Sequence, residues 1–157
     1  MKAKKNLIVY YSRTGTSEAL AKVLREKLAC DIDRIDYAEE RDGISFLAAG
    51  WEAIRRTTKA IQGNTRNPEN YDHIFFVSPV WSNRLSTPIR SYMRAYRDKI
   101  KSYSLLVTCG GSALSKVKRD ARSSMGKNPE ASAEFKSKEV NEGEYDLKRL
   151  FSQFETV

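Results

Sequence analysis

The sequence predicts an α/β protein with a doubly wound parallel sheet of five strands and helices on both faces. Three observations support this class. Strand-like and helical patterns alternate five times along the 157 residues. Three of the strand patterns are continuous apolar runs, which is typical of strands buried on both faces of a sheet. The length suits a single domain, which we place at residues 1–157.

The central strands are predicted at the apolar runs 7–11, 74–77 and 105–107. Two more polar runs, 32–37 and 133–138, predict strands at the edges of the sheet. With the apolar strands in the centre and right-handed crossovers, the strand order is 2-1-3-4-5. In a sheet of this order, ligands bind beyond the carboxyl ends of strands one and three.

Apolar residues at spacings of three and four predict a helix in each segment between or after the strands. Thr87 and Pro88 predict the N-cap and the first turn of the third helix. In chain order, the apolar stripes are Leu20, Val23, Leu24 and Leu28; Leu47, Trp51, Ile54 and Ile61; Ile89, Met93, Tyr96 and Ile100; Leu114, Val117, Ala121 and Met125; and Leu147, Leu150, Phe151 and Phe154.

The composition excludes several classes of protein. With 40% hydrophobic and 31% charged residues, the chain is neither disordered nor a membrane protein. We find no signal peptide pattern and no apolar run long enough to span a bilayer. Cys30 and Cys109 lie outside any CxxC pattern, so we expect no disulfide framework, no metal site and a cytoplasmic location. The only histidine, His73, precedes strand three at the end away from the ligand, and we interpret it as structural.

The positive charge is concentrated in one segment. The whole chain carries a net charge of +8, whereas residues 84–127 alone hold 11 Lys or Arg and 2 acidic residues. This segment contains the third and fourth helices, which the predicted topology places side by side on one sheet face. Charge alone fits a nucleic acid, a membrane surface or an acidic protein as partner.

The segment after strand one has the composition of a phosphate-binding loop. Residues 12–17 supply four hydroxyl groups and a glycine, and a helix follows at once. Backbone N–H groups and the helix dipole favour an anion at such a position. A polar turn with Thr16 or Ser17 as N-cap explains the same residues equally well.

Two further strand ends carry unusual residues. Strand three ends in residues 78–83, a predicted exposed turn that contains Trp81. Strand four ends in residues 108–112, where Gly110 and Gly111 permit close approach of the backbone to a flat ligand. Each segment alone is explained by an ordinary turn, but the three together favour a ligand site.

Other proteins of this topology need residues that the chain lacks. A phosphoacceptor receiver domain needs acidic residues after strands one and three, where Ser12 and Ser78 stand. A low-molecular-weight phosphatase needs an arginine six positions after its cysteine, and six positions after Cys109 stands Ser115. The sequence also contains no GxxxxGK[ST] and no GxGxxG pattern.

The chain resembles the flavodoxin family of FMN-binding proteins over nearly its whole length. The resemblance is carried by residues 10–17, 71–81 and 108–111. The first segment is similar to the S-x-T-G-N-T phosphate loop of the family and is the most specific. The resemblance implies a flavodoxin-like three-layer sandwich, FMN as cofactor and redox chemistry performed by the flavin.

The resemblance also implies roles for individual residues. No side chain is implied as an acid–base catalyst. Trp81 would pack against the isoalloxazine ring. The FMN phosphate would be held by hydroxyls and amides of Ser12, Thr14, Thr16 and Ser17, and by the backbone of Arg13 and Gly15. Backbone groups at the ring edge would come from Pro79, Val80, Trp81, Ser82 and Asn83, and from Thr108, Cys109, Gly110 and Gly111.

The chain departs from the family pattern in three places. Thr16 replaces the usual asparagine of the phosphate loop, and Asn83 stands where relatives often carry a glycine whose peptide can flip. Asparagine tolerates positive φ, so the flip stays possible here. No aromatic residue occurs in 110–116, which would leave one flavin face open.

These observations lead to one preferred function and two alternatives. We expect an FMN electron carrier whose basic segment, 84–127, docks an acidic redox protein such as a ferredoxin. The same charge would make the flavin hydroquinone easier to form than in acidic flavodoxins. The open flavin face keeps an NAD(P)H-dependent quinone reductase as an alternative, although no nicotinamide motif is present. A flavin-free module that binds nucleic acid is disfavoured because no RNA-binding motif or stacking platform is present.

Overall fold

A parallel sheet forms the centre of the structure, which is a computed structural model. It describes residues 3–37, 61–62, 66–143, 146–148 and 151–152. In chain order the elements are β1 (Asn6–Tyr10), α1 (Thr16–Leu28), β2 (Asp31–Arg34), β3 (Asp36–Tyr37), β4 (Ile61–Gln62), a 3-10 turn (Pro68–Asn70), β5 (His73–Trp81), β6 (Arg84–Leu85), α2 (Thr87–Tyr96), β7 (Tyr103–Cys109), α3 (Leu114–Met125), β8 (Ser132–Lys136) and α4 (Ser137–Glu142).

The five principal strands lie in the order β2-β1-β5-β7-β8, and all are parallel. Counted as strands one to five, this is the predicted order 2-1-3-4-5, so the predicted fold is confirmed. Two short elements are additional. β6 pairs antiparallel with the end of β5, and β3 pairs antiparallel with β4 in a separate two-stranded sheet.

Helices cover both faces of the sheet, and this explains the continuous apolar runs. Along β5, Phe76 faces the core beneath α2 and α3, whereas Phe75 and Val77 face the core beneath α1 and α4. All three side chains are buried. Because neighbouring residues of a strand point to opposite faces, a strand covered twice needs apolar residues at every position. The predicted third and fourth helices therefore do share one sheet face.

The predicted second strand is wrong beyond Arg34. Ile35 is fully buried, and its N–H donates to the carbonyl of Tyr10, the last residue of β1 (2.9 Å). Because β1 ends at Tyr10, it has no residue left to pair with the chain after Ile35. Asp36 and Tyr37 therefore pair with β4 instead. Ile61 was predicted in a helix but lies in β4. The other residues of that predicted stripe, 47–54, lie outside the described part of the chain.

Two further boundaries differ from the prediction. The N-cap of α2 is Ser86 rather than Thr87, and Pro88 lies in the first turn as expected. Ser86 is buried and its hydroxyl pairs with that of Ser78 at 2.9 Å, so it does not cap the helix with its side chain. The last sheet strand ends at Lys136, and the short helix α4 follows where the strand was expected to continue.

The final predicted helix is described only in part. Lys148, Phe151 and Ser152 are helical, and the N–H of Phe151 donates to the carbonyl of Leu147 (3.1 Å). Leu150 and Phe154 lie outside the described residues. Within the described ranges, no helix has the length and apolar character that a membrane crossing requires.

His73 begins β5 at the edge of the sheet opposite the strand ends that form the candidate site. Its Nδ1 lies 2.7 Å from the Ser102 hydroxyl and its Nε2 lies 2.8 Å from the Ser104 hydroxyl. Burial lowers the pKa of His73 to about 4, although Glu130 at 3.5 Å acts in the opposite direction. The ring therefore stays neutral in the folded protein near neutral pH, which agrees with a structural role.

This depressed pKa predicts a loss of stability in mild acid. An unfolded histidine titrates near pH 6.5, so between about pH 6.5 and 4 the unfolded chain binds a proton that the folded chain does not. The contribution of the neutral His73 to the free energy of unfolding is fully present above about pH 6.5. It falls by about 3 kcal/mol as the pH decreases from about 6.5 to 4. Urea unfolding from pH 7 to 4 should show this loss in the natural protein and a shallower decline in His73→Asn. Parallel curves for the two proteins would contradict the assignment.

Candidate functional site

The carboxyl ends of three central strands meet at one edge of the sheet. Tyr10 of β1 pairs with Val77 of β5, and Pro79 of β5 pairs with Thr108 of β7. The segments that follow these positions are the ones that the sequence predicts as a ligand site. The structure therefore brings the three predicted segments together.

The loop between β1 and α1 is shaped to present backbone amides. Gly15 has φ +96°, a left-handed conformation that disfavours other residues, and it is the N-cap of α1. Its N–H donates to the Ser12 hydroxyl (3.1 Å), which folds the loop back on itself. Arg13, Thr14 and Gly15 are exposed, and no side chain in the described part of the chain caps α1. The first-turn amides can therefore bind an anion.

The two hydroxyls at the start of α1 fix the loop in place. Thr16 and Ser17 are buried. The Thr16 hydroxyl donates to Oδ1 of Asn141 in α4 (3.0 Å). The Ser17 hydroxyl lies 2.8 Å from that of Thr108 at the end of β7. These contacts tie the first loop to two neighbouring elements, while Thr14 in the same loop stays exposed.

A cation that the sequence analysis missed also holds this loop. Arg34, the last residue of β2, donates from Nη2 to the carbonyl of Ser12 (3.4 Å). Its Nε donates to Asp36 (3.2 Å), and its Nη1 lies 3.5 Å from Glu18 in the first turn of α1. In the sequence, the feature that could have revealed this role is the position of Arg34 near the end of the strand next to β1. At this position its guanidinium group lies beside the predicted phosphate position.

The second segment forms a tight hairpin rather than a long turn. β5 continues past the predicted end at Val77 because it pairs with β7 as far as Pro79 and then with β6. Val80 and Trp81 face Leu85 and Arg84 across the hairpin. Only Ser82 and Asn83 form the turn, and both are exposed. Their φ angles of 49° and 64° are both positive, as in a type I′ turn, and asparagine tolerates this conformation.

Trp81 is half-buried and held from one side. Its ring meets Tyr11, the residue after β1, edge to face, with centroids 5.4 Å apart and planes at 88°. It also packs against the core beneath α2 and α3. The contact fixes the ring at the mouth of the site and leaves part of it exposed. Packing of this ring against a flavin stays a prediction.

The third segment follows β7. Thr108 and Cys109 are buried, whereas Gly110 and Gly111 are exposed. The Cys109 thiol donates to the Gly111 carbonyl (3.1 Å). A Cβ atom added at either glycine would meet no atom within 4 Å. Packing within the described chain therefore does not require glycine here, and the open space fits close approach of a flat ligand.

Two residues of β8, both missed by the sequence analysis, hold the third segment. Glu134 accepts the N–H of Ala113, the N-cap of α3, at 2.7 Å. Burial raises the pKa of Glu134, but the hydrogen bonds from the Ala113 amide and Cys109 and the charge of Lys136 outweigh it and lower the pKa overall. Lys136 donates to the Gly111 carbonyl. The polar pattern of this edge strand concealed both roles.

The described residues contain no group of His, Cys, Asp or Glu side chains arranged for a metal ion. The donors that the three segments offer are instead backbone amides, hydroxyls and a partly exposed indole ring. This set suits an anionic group at α1 and a flat aromatic group between the hairpin and the glycines. It therefore fits FMN, which carries a phosphate and an isoalloxazine ring.

The model of one protein family, described as flavodoxin, matches residues 5–148. The chain belongs to the flavodoxin family. No curated protein matches this flavodoxin-family chain. The match confirms the resemblance seen in the sequence, and with it FMN as the cofactor of the family.

Solved structures share the fold. A flavoprotein from Lactobacillus acidophilus NCFM, in complex with FMN, is 23% identical with a TM-score of 0.68, covering 89% of this chain and 98% of that one. An NADH:FMN oxidoreductase in its apo form is 18% identical with a TM-score of 0.56, covering 97% and 87%. A flavodoxin-type, WrbA-like protein from Agrobacterium tumefaciens is 16% identical with a TM-score of 0.51, covering 82% of each chain. At these identities the likeness supports the fold alone.

The loop geometry predicts different effects for substitutions at two glycines with positive φ. Gly15 and Gly126 both have positive φ, and an added Cβ meets open space at each. Replacing either with alanine should cost about 1 kcal/mol of stability through the left-handed backbone. Only Gly15→Ala should also weaken FMN binding, by about tenfold, because Gly126 caps the far end of α3. Thermal melts and fluorescence titration with FMN test this, and equal FMN affinity of the two variants would contradict it.

Proposed function

We propose that the protein binds FMN and carries electrons between redox partners. The observation that carries the proposal is the loop at residues 12–17. It combines a left-handed glycine, an exposed threonine and a helix N-terminus without a side-chain cap among the described residues. Together with the flavodoxin family match, this favours a phosphate anion at that point.

The chain's own residues would bind and orient the cofactor. The amides at the start of α1 and the Thr14 hydroxyl would hold the phosphate, with Arg34 close to the loop. Trp81 would pack against the ring, and the Ser82–Asn83 turn would present its backbone to the ring edge. Bound FMN supplies one- and two-electron redox chemistry. The protein adjusts its potential through the charges and hydrogen bonds around it.

No side chain of the three segments is placed as an acid–base catalyst. The buried hydroxyls pair with protein partners, and the Cys109 thiol donates to a carbonyl, with burial raising its pKa. A raised thiol pKa keeps the sulfur protonated and unreactive. This arrangement leaves the redox chemistry to the bound flavin, as the proposed electron carrier requires.

A second candidate function is an FMN-dependent reductase that takes hydride from NAD(P)H. The observation that favours it is the segment from Gly110 to Ser112, which is exposed and carries no aromatic side chain. Such a segment would leave room for a nicotinamide or a quinone on that side of the ring. A steady-state assay with NADPH and a quinone separates the two functions, because a carrier turns over slowly without its protein partners.

The proposal predicts that the protein retains FMN after gel filtration. The visible absorption spectrum of the purified protein incubated with FMN should show one flavin per chain. A variant with bulky residues at Thr14 and Gly15 should lose the flavin while it keeps its circular dichroism spectrum. A natural protein that is folded but retains no flavin would contradict both redox functions.

A further inference from the structure

A polar cleft of about 400 Å³ lies next to the hairpin turn of the candidate site. It runs between that turn and the first two turns of α3. We call it the turn cleft. Its lining residues are Ser82, Asn83, Arg84, Lys116, Arg119 and Asp120.

One carboxylate organises the cleft. Asp120 accepts hydrogen bonds from the Arg84 guanidinium at 2.8 and 3.1 Å and from the N–H of Leu85 at 3.2 Å. The guanidinium of Arg84 thereby compensates the negative charge of Asp120, and these hydrogen bonds connect β6 to α3. The remaining cations of the cleft, Lys116 and Arg119, are exposed and make no ion pair within the described residues.

Further positive charge surrounds the cleft. Arg90 of α2 is half-buried, and its pKa is lowered by burial and then by the neighbouring Arg84 and Arg94, while Asp120 opposes the shift. Two helices and the hairpin thus place several guanidinium groups around a single carboxylate. Like charges held this close create a positive potential that an anionic ligand would relieve.

The position of the cleft matters as much as its charge. Ser82 and Asn83 belong both to the cleft and to the segment predicted to border the flavin edge. A molecule that binds in the cleft therefore lies beside the place where electrons would leave or enter the cofactor.

We propose that the turn cleft is the anchor at which carboxylates of an acidic redox protein dock. The proposal rests on the proposed electron-transfer function and adds the kind of partner and its point of attachment. In this proposal, Lys116 and Arg119 make the contacts with the carboxylates of the partner. Asp120 holds Arg84 beside these two residues, so that this third cationic group is positioned before the partner arrives.

The extent of the positive surface favours a protein over a small phosphorylated ligand. Exposed cations that do not line the cleft occur on α2 and α3 and at the C-cap of α2, at Arg94, Arg97, Lys118 and Arg122. A small ligand inside the cleft would not contact these side chains, whereas a protein surface is steered by all of them. None of the residues that line the cleft is aromatic, so no ring in it offers a stacking surface to an adenine base.

A matched pair of variants separates local docking from general charge. Lys116→Gln with Arg119→Gln removes the two free cations of the cleft. Lys118→Gln with Arg122→Gln removes two exposed cations of the same helix that do not line it. Both variants lose two positive charges, so long-range attraction changes equally. Each FMN-loaded protein is mixed at low salt with a reduced acidic [2Fe–2S] ferredoxin, and flavin reduction is followed by stopped flow.

We expect the second-order rate constant to fall by about tenfold or more in the cleft variant and by no more than about threefold in the control. The natural protein should show the steepest decline of the rate with added salt. Equal rates in the two variants, or no reduction by the ferredoxin, would overturn the proposal. A third result would also overturn it: the cleft variant reacts with ferredoxin at an unchanged rate, but its direct reduction by NADPH is slowed. That result would show that the cleft binds a phosphate group of the nucleotide instead.

The flavin content of the natural protein, the cleft variant and the control variant is measured first. A failure of the proposed function can then be distinguished from a failure of the docking proposal. A natural protein that binds no FMN would contradict the proposed function. Variants that bind FMN as the natural protein does, yet react at one common rate, would contradict only the docking site. Loss of FMN from the cleft variant alone would place Lys116 and Arg119 in the cofactor site and also overturn the proposal.

Discussion

The parallel pairing of β1 with β5 determines where every part of the candidate site lies. The two strands run side by side from Asn6 and His73 to Tyr10 and Val77 and are covered by helices on both faces. Because they are parallel, the loop before α1 and the hairpin after β5 emerge at the same edge of the sheet. A slip of one residue would move every side chain of the strand to the opposite core, where it would meet partners of a different shape, so close packing fixes this register.

Side-chain contacts then fix the positions of the loops that meet at this edge of the sheet. The Ser17–Thr108 hydroxyl pair joins the loop before α1 to the end of β7, and Glu134 holds the start of α3. Tyr11 fixes the half-buried Trp81. These contacts satisfy several of the protein's own polar groups, whereas the first-turn amides of α1 have no side-chain cap within the described residues. The three segments are therefore tied to one another and to the helices beside them.

Features that depend on local pattern could be predicted from the sequence. Continuous apolar runs identified the three central strands, and the glycine and hydroxyls of the first loop predicted a phosphate position that stays a prediction. Features set by distant partners could not. Ser86 pairs with Ser78 instead of capping its helix, the chain after Arg34 leaves the sheet where β1 ends, and Arg34 and Glu134 act through neighbouring strands. Each of these depends on a contact with a different element of the fold, and the periodicity of apolar residues carries no information about such contacts.

The central claim is that the N-terminus of α1 binds the phosphate of FMN. The most direct test compares the affinity of the protein for FMN and for riboflavin, which has the same ring but no phosphate, by isothermal titration calorimetry. We predict that FMN binds at least about a hundredfold more tightly, because the phosphate contributes charge-assisted hydrogen bonds with the loop amides. Equal affinities, or no binding of either flavin by the folded protein, would contradict the account.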